Sequence, residues 1–400
     1  MSGEPLSDIV SEQYERWVYP QPIVDLPLWL QSSWQWFDPS HAQPLFWPNR
    51  DARPDLDILI AGCGTNQAAV IAYCNPQSRV LAVDISRSSL NHQQFLKDKY
   101  KLDNLELLRH PIENLHELDR SFDLIISTGV LHHMDDPKAG MKALAQCLRP
   151  DGVIALMLYA RFGRLGVEMM QSVFREMGLK QDEPSLAIVR EVISALPADH
   201  PVQSYLKIAP DLQFDAGLVD TFLHGRDKSY TIDDCFDLAE SAGLTMQDMF
   251  MKSPYYPNPS GNDAFYNMVS ALPERQQWSI MERTHFRNGC HFFTVCHQGR
   301  DPGTYRIDFN SEQMLRYKPV LRYRCHVDGH LLNRPGFQIP LELMQQALIR
   351  YADGVRSIEE IVSEARRVSS LASFPLPQSL EYGRQFFKSL WLADFIAVKI

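Results

Sequence analysis

Ala61-Gly62-Cys63-Gly64-Thr65-Asn66 has the make-up of a loop that holds a ligand against the backbone. It follows the apolar run Ile58-Leu59-Ile60 and opens a helical stretch. Glycines at such a turn let the main chain come close to a bound molecule, and the helix start offers free N–H donors. Asp84 stands twenty residues after Gly64, closing the next apolar run, Val80-Leu81-Ala82-Val83. A carboxylate there can accept hydrogen bonds from both hydroxyls of a ribose. Loop, spacing and acid together point to a nucleoside cofactor rather than a structural turn. A dinucleotide stays compatible on these residues alone, because alanine is permitted where Ala68 and Ala69 replace a third glycine.

Other side chains fall where open α/β sheets place their ligands, just past the carboxyl ends of strands. His132 and His133 follow the run Leu124-Ile125-Ile126. Either can act as a base or a substrate contact; the alternative is that they shape their loop. Tyr159 and Arg161, with Arg164 close behind, follow Val153–Leu158. Residues 14–48 are dense in aromatics and prolines, too broken for one helix and too apolar to stay in water. They read as a strap over the main domain or as a lid, with Tyr14, Arg16, Trp17 and Tyr19 as lid candidates. Val219–Asp227 adds His224 and Asp227. Cys290-His291, Cys296-His297 and Cys325-His326 with His330 invite a zinc reading, but they lack the close ligand pairs of structural zinc and strand alternation explains them, so no metal is expected.

The elements that must position these groups are short β-branched runs alternating with amphipathic stretches such as Ser88–Tyr100 and Lys138–Cys147. That pattern predicts an α/β fold, a doubly wound, Rossmann-like and mostly parallel sheet. A run at His291–Cys296 is expected to add an antiparallel last strand. Residues 165–245 read as mainly helical, with Thr231 as N-cap of a helix through Glu240. The expected domains are 1–50, an aromatic and proline-rich strap or lid; 51–303, the sheet domain with a helical insertion at about 165–228; and 304–400, a small α+β domain. In the last, a strand at Leu321–Val327 and helices at Leu341–Ala352, Ile358–Arg366 and Gln378–Leu392 are expected.

A net charge of −10 disfavours nucleic acid and anionic membranes as partners. Met1–Pro5 shows no secretory pattern, and no apolar run approaches the ~20 residues of a membrane span. An odd count of 7 cysteines without a CxxC pair suits reduced thiols in the cytoplasm.

Over about residues 56–160 the chain resembles the class I S-adenosylmethionine-dependent methyltransferase family. The resemblance rests on the GxG loop, Asp84, Ile112-Glu113, "FDLIISTGVLHHMDDP" at 122–137 and "CLRPDGVIALM" at 147–157. The last two stretches carry most of the specificity and separate the chain from dehydrogenases. The resemblance implies S-adenosylmethionine as cofactor and S-adenosylhomocysteine as product. It places Gly62 and Gly64 under the methionine part, Asp84 on the ribose, Ile112 and Glu113 near the adenine, and Thr128, Gly129 and Leu131 beside the sulfonium. Cys63, Asn66, Gln67 and Ile85 complete the expected cofactor set. Ile60, Asn66 and Pro111 depart from the common pattern, and Asn66 can take left-handed backbone angles in place of the third glycine.

The implied activity is in-line methyl transfer to sulfur, nitrogen or oxygen of a small molecule, a thiol among the options, with His132, His133, Tyr14, Tyr19, Tyr159 and Arg161 as catalytic candidates. A protein or peptide methyltransferase that uses 304–400 to hold its substrate is the alternative, and a non-catalytic cofactor-binding regulator a third reading. Residues 304–400 ("LLNRPGFQIP", "ALIRYADGVRSIEEIV", "FFKSLWLADFI") resemble bacterial winged-helix-like domains, read as a packing module or as the means of forming a homodimer.

Overall fold

The computed structural model describes residues 9–257, 264–285 and 288–400; the Met1–Pro5 reading lies outside them. Seven runs form strands: β1 (Asp57–Ala61), β2 (Arg79–Asp84), β3 (Leu105–Arg109), β4 (Phe122–Thr128), β5 (Leu148–Tyr159), β6 (Leu244–Met249) and β7 (Cys290–His297). They make one sheet in the order β3-β2-β1-β4-β5-β7-β6. β1 to β5 are parallel, and β7 runs antiparallel to both β5 and β6. The reversal of strand order between β1 and β4 is the switch point at which such sheets open a ligand crevice. The expected doubly wound fold with an antiparallel strand is the one observed.

Two strands escaped the sequence pattern for one reason. β3 and β6 are the sheet's edges, and both mix polar with apolar residues, as "LELLR" and "LTMQDM". The central strands are buried on both faces and read as continuous apolar runs.

Helices Gln67–Cys74, Arg87–Tyr100 and Pro137–Gln146 lie between strands, close to the expected bounds. Thr231 caps Ile232–Glu240 through a reciprocal capping box with Asp234. The insertion folds as helices Leu165–Glu176, Glu183–Ala195, Val202–Leu206 and Asp215–Phe222 around Val167, Phe174, Val189, Val202, Val219 and Phe222. Trp17 of the strap packs against this cluster. The strap itself holds helices Ile9–Arg16 and Leu26–Ser32.

The chain divides into two compact units. One comprises residues 1–37, 54–249 and 273–299, and the other residues 38–53, 250–272 and 300–400. The sequence boundaries at 50 and 303 therefore run differently: part of the aromatic segment and the stretch after β6 belong with the C-terminal unit. Within that unit, β8 (Lys318–Leu321) pairs with β12 (Ile396–Lys399), and β9 (His326–Asp328), β10 (Leu331–Arg334) and β11 (Phe337–Pro340) form a second sheet. Leu321–Val327 is not one strand. Arg324 takes a left-handed φ of 60°, and Arg322 turns to donate to Asp394 and the Phe250 carbonyl, which breaks the run in two. Helices Leu343–Ile349, Ile358–Val368 and Leu376–Leu392 pack their apolar faces into one core. No helix among the described residues is long and apolar enough to cross a membrane.

Candidate active site

The carboxyl ends of β1, β2 and β4 open into a cleft of about 1470 Å³ within the first unit. A single ligand usually occupies ~300–1,000 Å³, so a cofactor and an acceptor fit side by side.

One half is built on the glycine loop. Gly62 and Gly64 take φ of 78° and 51°. The N–H groups of Gly62 and Cys63 both donate to the Val83 carbonyl, at 2.9 and 3.1 Å, which folds the turn onto β2. A Cβ on Gly62 would stand 2.3 Å from Val130 Cγ2, so this position admits only glycine. Asp84 accepts the Gly64 N–H at 2.8 Å on one oxygen and the Ser86 N–H at 2.9 Å on the other. Burial pushes its carboxyl pKa up while these donors work against that rise, and the carboxylate is left oriented along the cleft wall. Cys63, Gln67, Ile85, Ile112, Glu113, Thr128 and Gly129 also line the cleft, and Gln67 donates to Thr128 Oγ1 at 3.1 Å. A backbone cradle closed to any Cβ, with an anchored carboxylate beyond it, fits a nucleoside with a free ribose diol.

Two expected cofactor residues are placed otherwise. Asn66 does not take left-handed angles, since its φ is −129°. It borders the cleft, but its Oδ1 accepts the Ile23 N–H at 2.9 Å and its Nδ2 donates to the Gln21 carbonyl at 2.8 Å. Thr65 donates to the Pro20 carbonyl at 2.7 Å, so this pair ties the strap to the loop. Leu131 is fully buried and takes no part in the cleft wall; it packs beneath, near Gly140.

The other half lies between strap, β5 and insertion. Tyr14 donates to Asp220 Oδ1 at 2.8 Å, Tyr159 to Asp220 Oδ2 at 3.1 Å, and Tyr19 to Asp211 Oδ2 at 2.9 Å. All five side chains line the cleft, as does His133. Burial pushes the three phenols well up, with Asp220 adding to the rise. The Asp220 carboxyl is raised by burial, against the pull of His133 and the two tyrosine donors.

Arg226 sets the tautomers of two stacked imidazoles. Its carbonyl accepts from His133 Nδ1 at 3.0 Å, and its N–H donates to His224 Nδ1 at 3.0 Å. His133 therefore carries its lone pair on Nε2 and His224 its proton there. The rings stack 3.9 Å apart, and His224 Nε2 lies 3.5 Å from the Tyr14 hydroxyl. Burial depresses the His224 pKa well below the usual imidazole value, and the neighbouring His133 adds to this.

His132 and Arg161 do not reach the cleft. His132 is buried behind it, stacked 3.9 Å from Tyr159, where it accepts the Tyr159 N–H. Arg161 points to solvent because the chain turns there into a short 3₁₀ segment. The buried cation is Arg164 instead, with Cζ 3.6 Å from the Tyr159 ring centre and bonds to Asp227 (2.8 Å) and the Tyr205 hydroxyl (2.7 Å).

Asp211, Asp220 and Tyr205 were not singled out from sequence. Asp220 did leave a signal, an acid inside the otherwise buried run Leu218–Phe222. Asp211 and Tyr205 left none, because their partners Tyr19 and Arg164 lie 192 and 41 residues away in sequence.

Residues 59–154 match the family described as "Methyltransferase domain". An uncharacterized protein of Synechococcus is 28% identical over 343 residues, covering 80% of this chain and 78% of its own. Malonyl-[acyl-carrier protein] O-methyltransferase of Acetivibrio thermocellus is 30% identical over 116 residues, 29% of this chain and 38% of that protein. Among solved structures, PKMT2 from Rickettsia typhi superposes with a TM-score of 0.68 at 15% identity, over 95% of this chain and 77% of that one. A structure of the same protein in complex with AdoHcy also matches. Residues 59–154 are a methyltransferase domain, and domain, relatives and fold together support a class I S-adenosylmethionine-dependent methyltransferase with S-adenosylmethionine as its cofactor.

Proposed function

We propose that the chain methylates a compact acceptor held in the chamber between strap and insertion. One observation carries this reading: Tyr14 and Tyr19 of the strap reach across to Asp220 and Asp211 of the insertion, which gives the acceptor half of the cleft a roof. When bound, the cofactor supplies an electrophilic methyl group on a sulfonium. The residues of the chain hold and orient. Gly62, Gly64 and Asp84 seat the nucleoside and methionine ends, with Cys63, Ile85, Ile112, Glu113, Thr128 and Gly129 around them. Tyr14, Tyr19 and Tyr159 shape the acceptor space, and His133 Nε2 is the group able to take a proton from the nucleophile.

The test is release of S-adenosylhomocysteine over a panel of thiols, amines, carboxylic acids and peptides. Turnover of compact acceptors is expected. Methylation of long peptides alone would sink the enclosed-chamber reading.

A further inference from the structure

The acceptor half of the cleft is rich in hydrogen-bond acceptors, although the Tyr205 hydroxyl, which accepts from Arg164, and Arg226 also line it as donors. A phenol has a single proton, and Tyr14, Tyr159 and Tyr19 all direct theirs at carboxylates. Their oxygens thus have only lone pairs left to offer a ligand. Asp211 and Asp220 accept, and His133 presents a lone pair at Nε2 because its Nδ1 proton is engaged by the Arg226 carbonyl. The tyrosine ring faces favour positive charge as well. Of the cations nearby, Arg226 lies 3.8 Å from Asp135, and Arg164 sits behind Tyr159, held by Asp227 and Tyr205. No lysine lines the cleft among the described residues. The carboxylates and tyrosine oxygens of this wall favour a molecule rich in N–H donors over a carboxylate or phosphate.

A metal ion is the competing use of this cluster, since ligand atoms of His133, Asp220 and His224 lie within 4.8 Å of one another. Two features oppose it. The Arg226 N–H holds His224 with its proton on Nε2, the nitrogen nearest Tyr14. The two imidazole planes also lie 18° from parallel at 3.9 Å, so their in-plane lone pairs do not converge on one point.

We infer that the acceptor is an amine, bound through its N–H groups by the Asp220 and tyrosine oxygens, and that His133 is the base which takes its proton; this rests on the compact-acceptor reading above. The amine arrives as an ammonium ion and transfers one proton to His133 Nε2. Its freed lone pair forms the new N–C bond while the methyl–sulfur bond breaks, that electron pair staying on sulfur. The products are an N-methylammonium ion and S-adenosylhomocysteine, and the His133 proton is released to water. As an imidazolium, His133 faces Asp227 Oδ1, a buried oxygen with no other hydrogen-bond donor, 3.9 Å from Nδ1.

The experiment uses the full chain loaded with S-adenosylhomocysteine and four ligands of one shape: phenethylamine, phenethyl alcohol, phenethyl thiol and hydrocinnamate. Calorimetry measures their binding, and S-adenosylhomocysteine release with S-adenosylmethionine measures turnover, with a lysine-containing peptide in parallel. The amine is expected to bind at least tenfold more tightly than the alcohol and the acid, and to be the one of the four that is methylated. Asp220→Asn is expected to erase most of that preference; the wild-type series decides the matter should this variant not fold. Preference for thiol, alcohol or acid overturns the amine inference and leaves the compact-acceptor reading standing. Methylation of the peptide lysine alone does the reverse. No binding or turnover of any of them overturns both.

Discussion

Replacing Arg164 by methionine separates the cost of an orphaned buried charge from the cost of lost volume. The Arg164 side chain is 0% exposed and that of Asp227 3%. Methionine fills much of the same space, so the cavity left behind is small. What is lost is the ion pair at 2.8 Å, the bond to Tyr205 and the stacking on Tyr159. Two unit charges 2.8 Å apart attract by about 6 kcal/mol at an effective dielectric near 20, part of which desolvation cancels. Breaking one side of such a pair typically costs about 3–5 kcal/mol, and that is the destabilisation expected here. Asp227 keeps only Gln171 Nε2, at 2.8 Å on the same oxygen that Arg164 had held.

The assay is urea unfolding followed by tryptophan fluorescence, with Trp17 reporting from against the insertion core. Adding Asp227→Asn to Arg164→Met should recover most of the loss, because a neutral amide leaves no buried charge. A single variant within about 1 kcal/mol of wild type, or a double variant less stable than the single, would refute the reasoning.

Gly62→Ala forces a Cβ to 2.3 Å from Val130 Cγ2 at a φ of 78°, so S-adenosylhomocysteine binding by calorimetry should weaken at least tenfold while far-UV circular dichroism stays native. Asn66→Ala removes both bonds that hold Gln21 and Ile23, so trypsin should cut the strap at Arg16 faster while cofactor affinity changes little; a large loss of affinity with unchanged cleavage would make Asn66 a cofactor contact instead. Burial pushes the Glu282 carboxyl from 4.5 up to about 7, so the folded state keeps a proton that the unfolded chain releases. The stability from that group is full below pH 4.5 and lost as the pH rises through 7. Glu282→Gln should therefore gain about 1–3 kcal/mol at pH 8 and almost nothing near pH 4.5, read as urea midpoints at the two pH values.

The cofactor half was legible because its determinants are local. Gly62, Gly64 and Asp84 sit at strand ends whose apolar runs are continuous in sequence, and the spacing between them follows from one helical crossover. Gln67 could be placed in the same way, one residue into the helix. Leu131 shows the limit: its neighbours Gly129 and Val130 line the cleft, and one further step along the turn carries the side chain into the core. The acceptor half was legible only in parts. Tyr14 and Tyr19 stood out as aromatics in a segment that had to pack somewhere, but their partners lie about 190–210 residues away, which no periodicity encodes. Arg161 and Arg164 differ by three positions, and which of them turns inward depends on the short 3₁₀ segment after β5. The edge strands β3 and β6 were missed because a half-covered strand loses the apolar continuity that marks a central one.

Stability and function pull apart at one helix. Asp215–Phe222 packs Leu218, Val219 and Phe222 into the insertion core, and Asp220 places among them a carboxylate that is 1% exposed. An apolar residue there would pack without any desolvation cost, so the acid weakens the helix's hold on the core. It is kept by three aromatic neighbours from distant parts of the chain: Tyr14 and Tyr159 donate to it, and a ring nitrogen of His133 lies within 4.8 Å of its carboxylate. Arg164, a buried cation nearby, is instead committed to Asp227, which leaves Asp220 with neutral donors. A fold that needed only to bury this helix would have no use for that arrangement. A chamber that must attract a cation and then strip its proton needs both a carboxylate held by neutral donors and, beside it, an imidazole held in the acceptor tautomer.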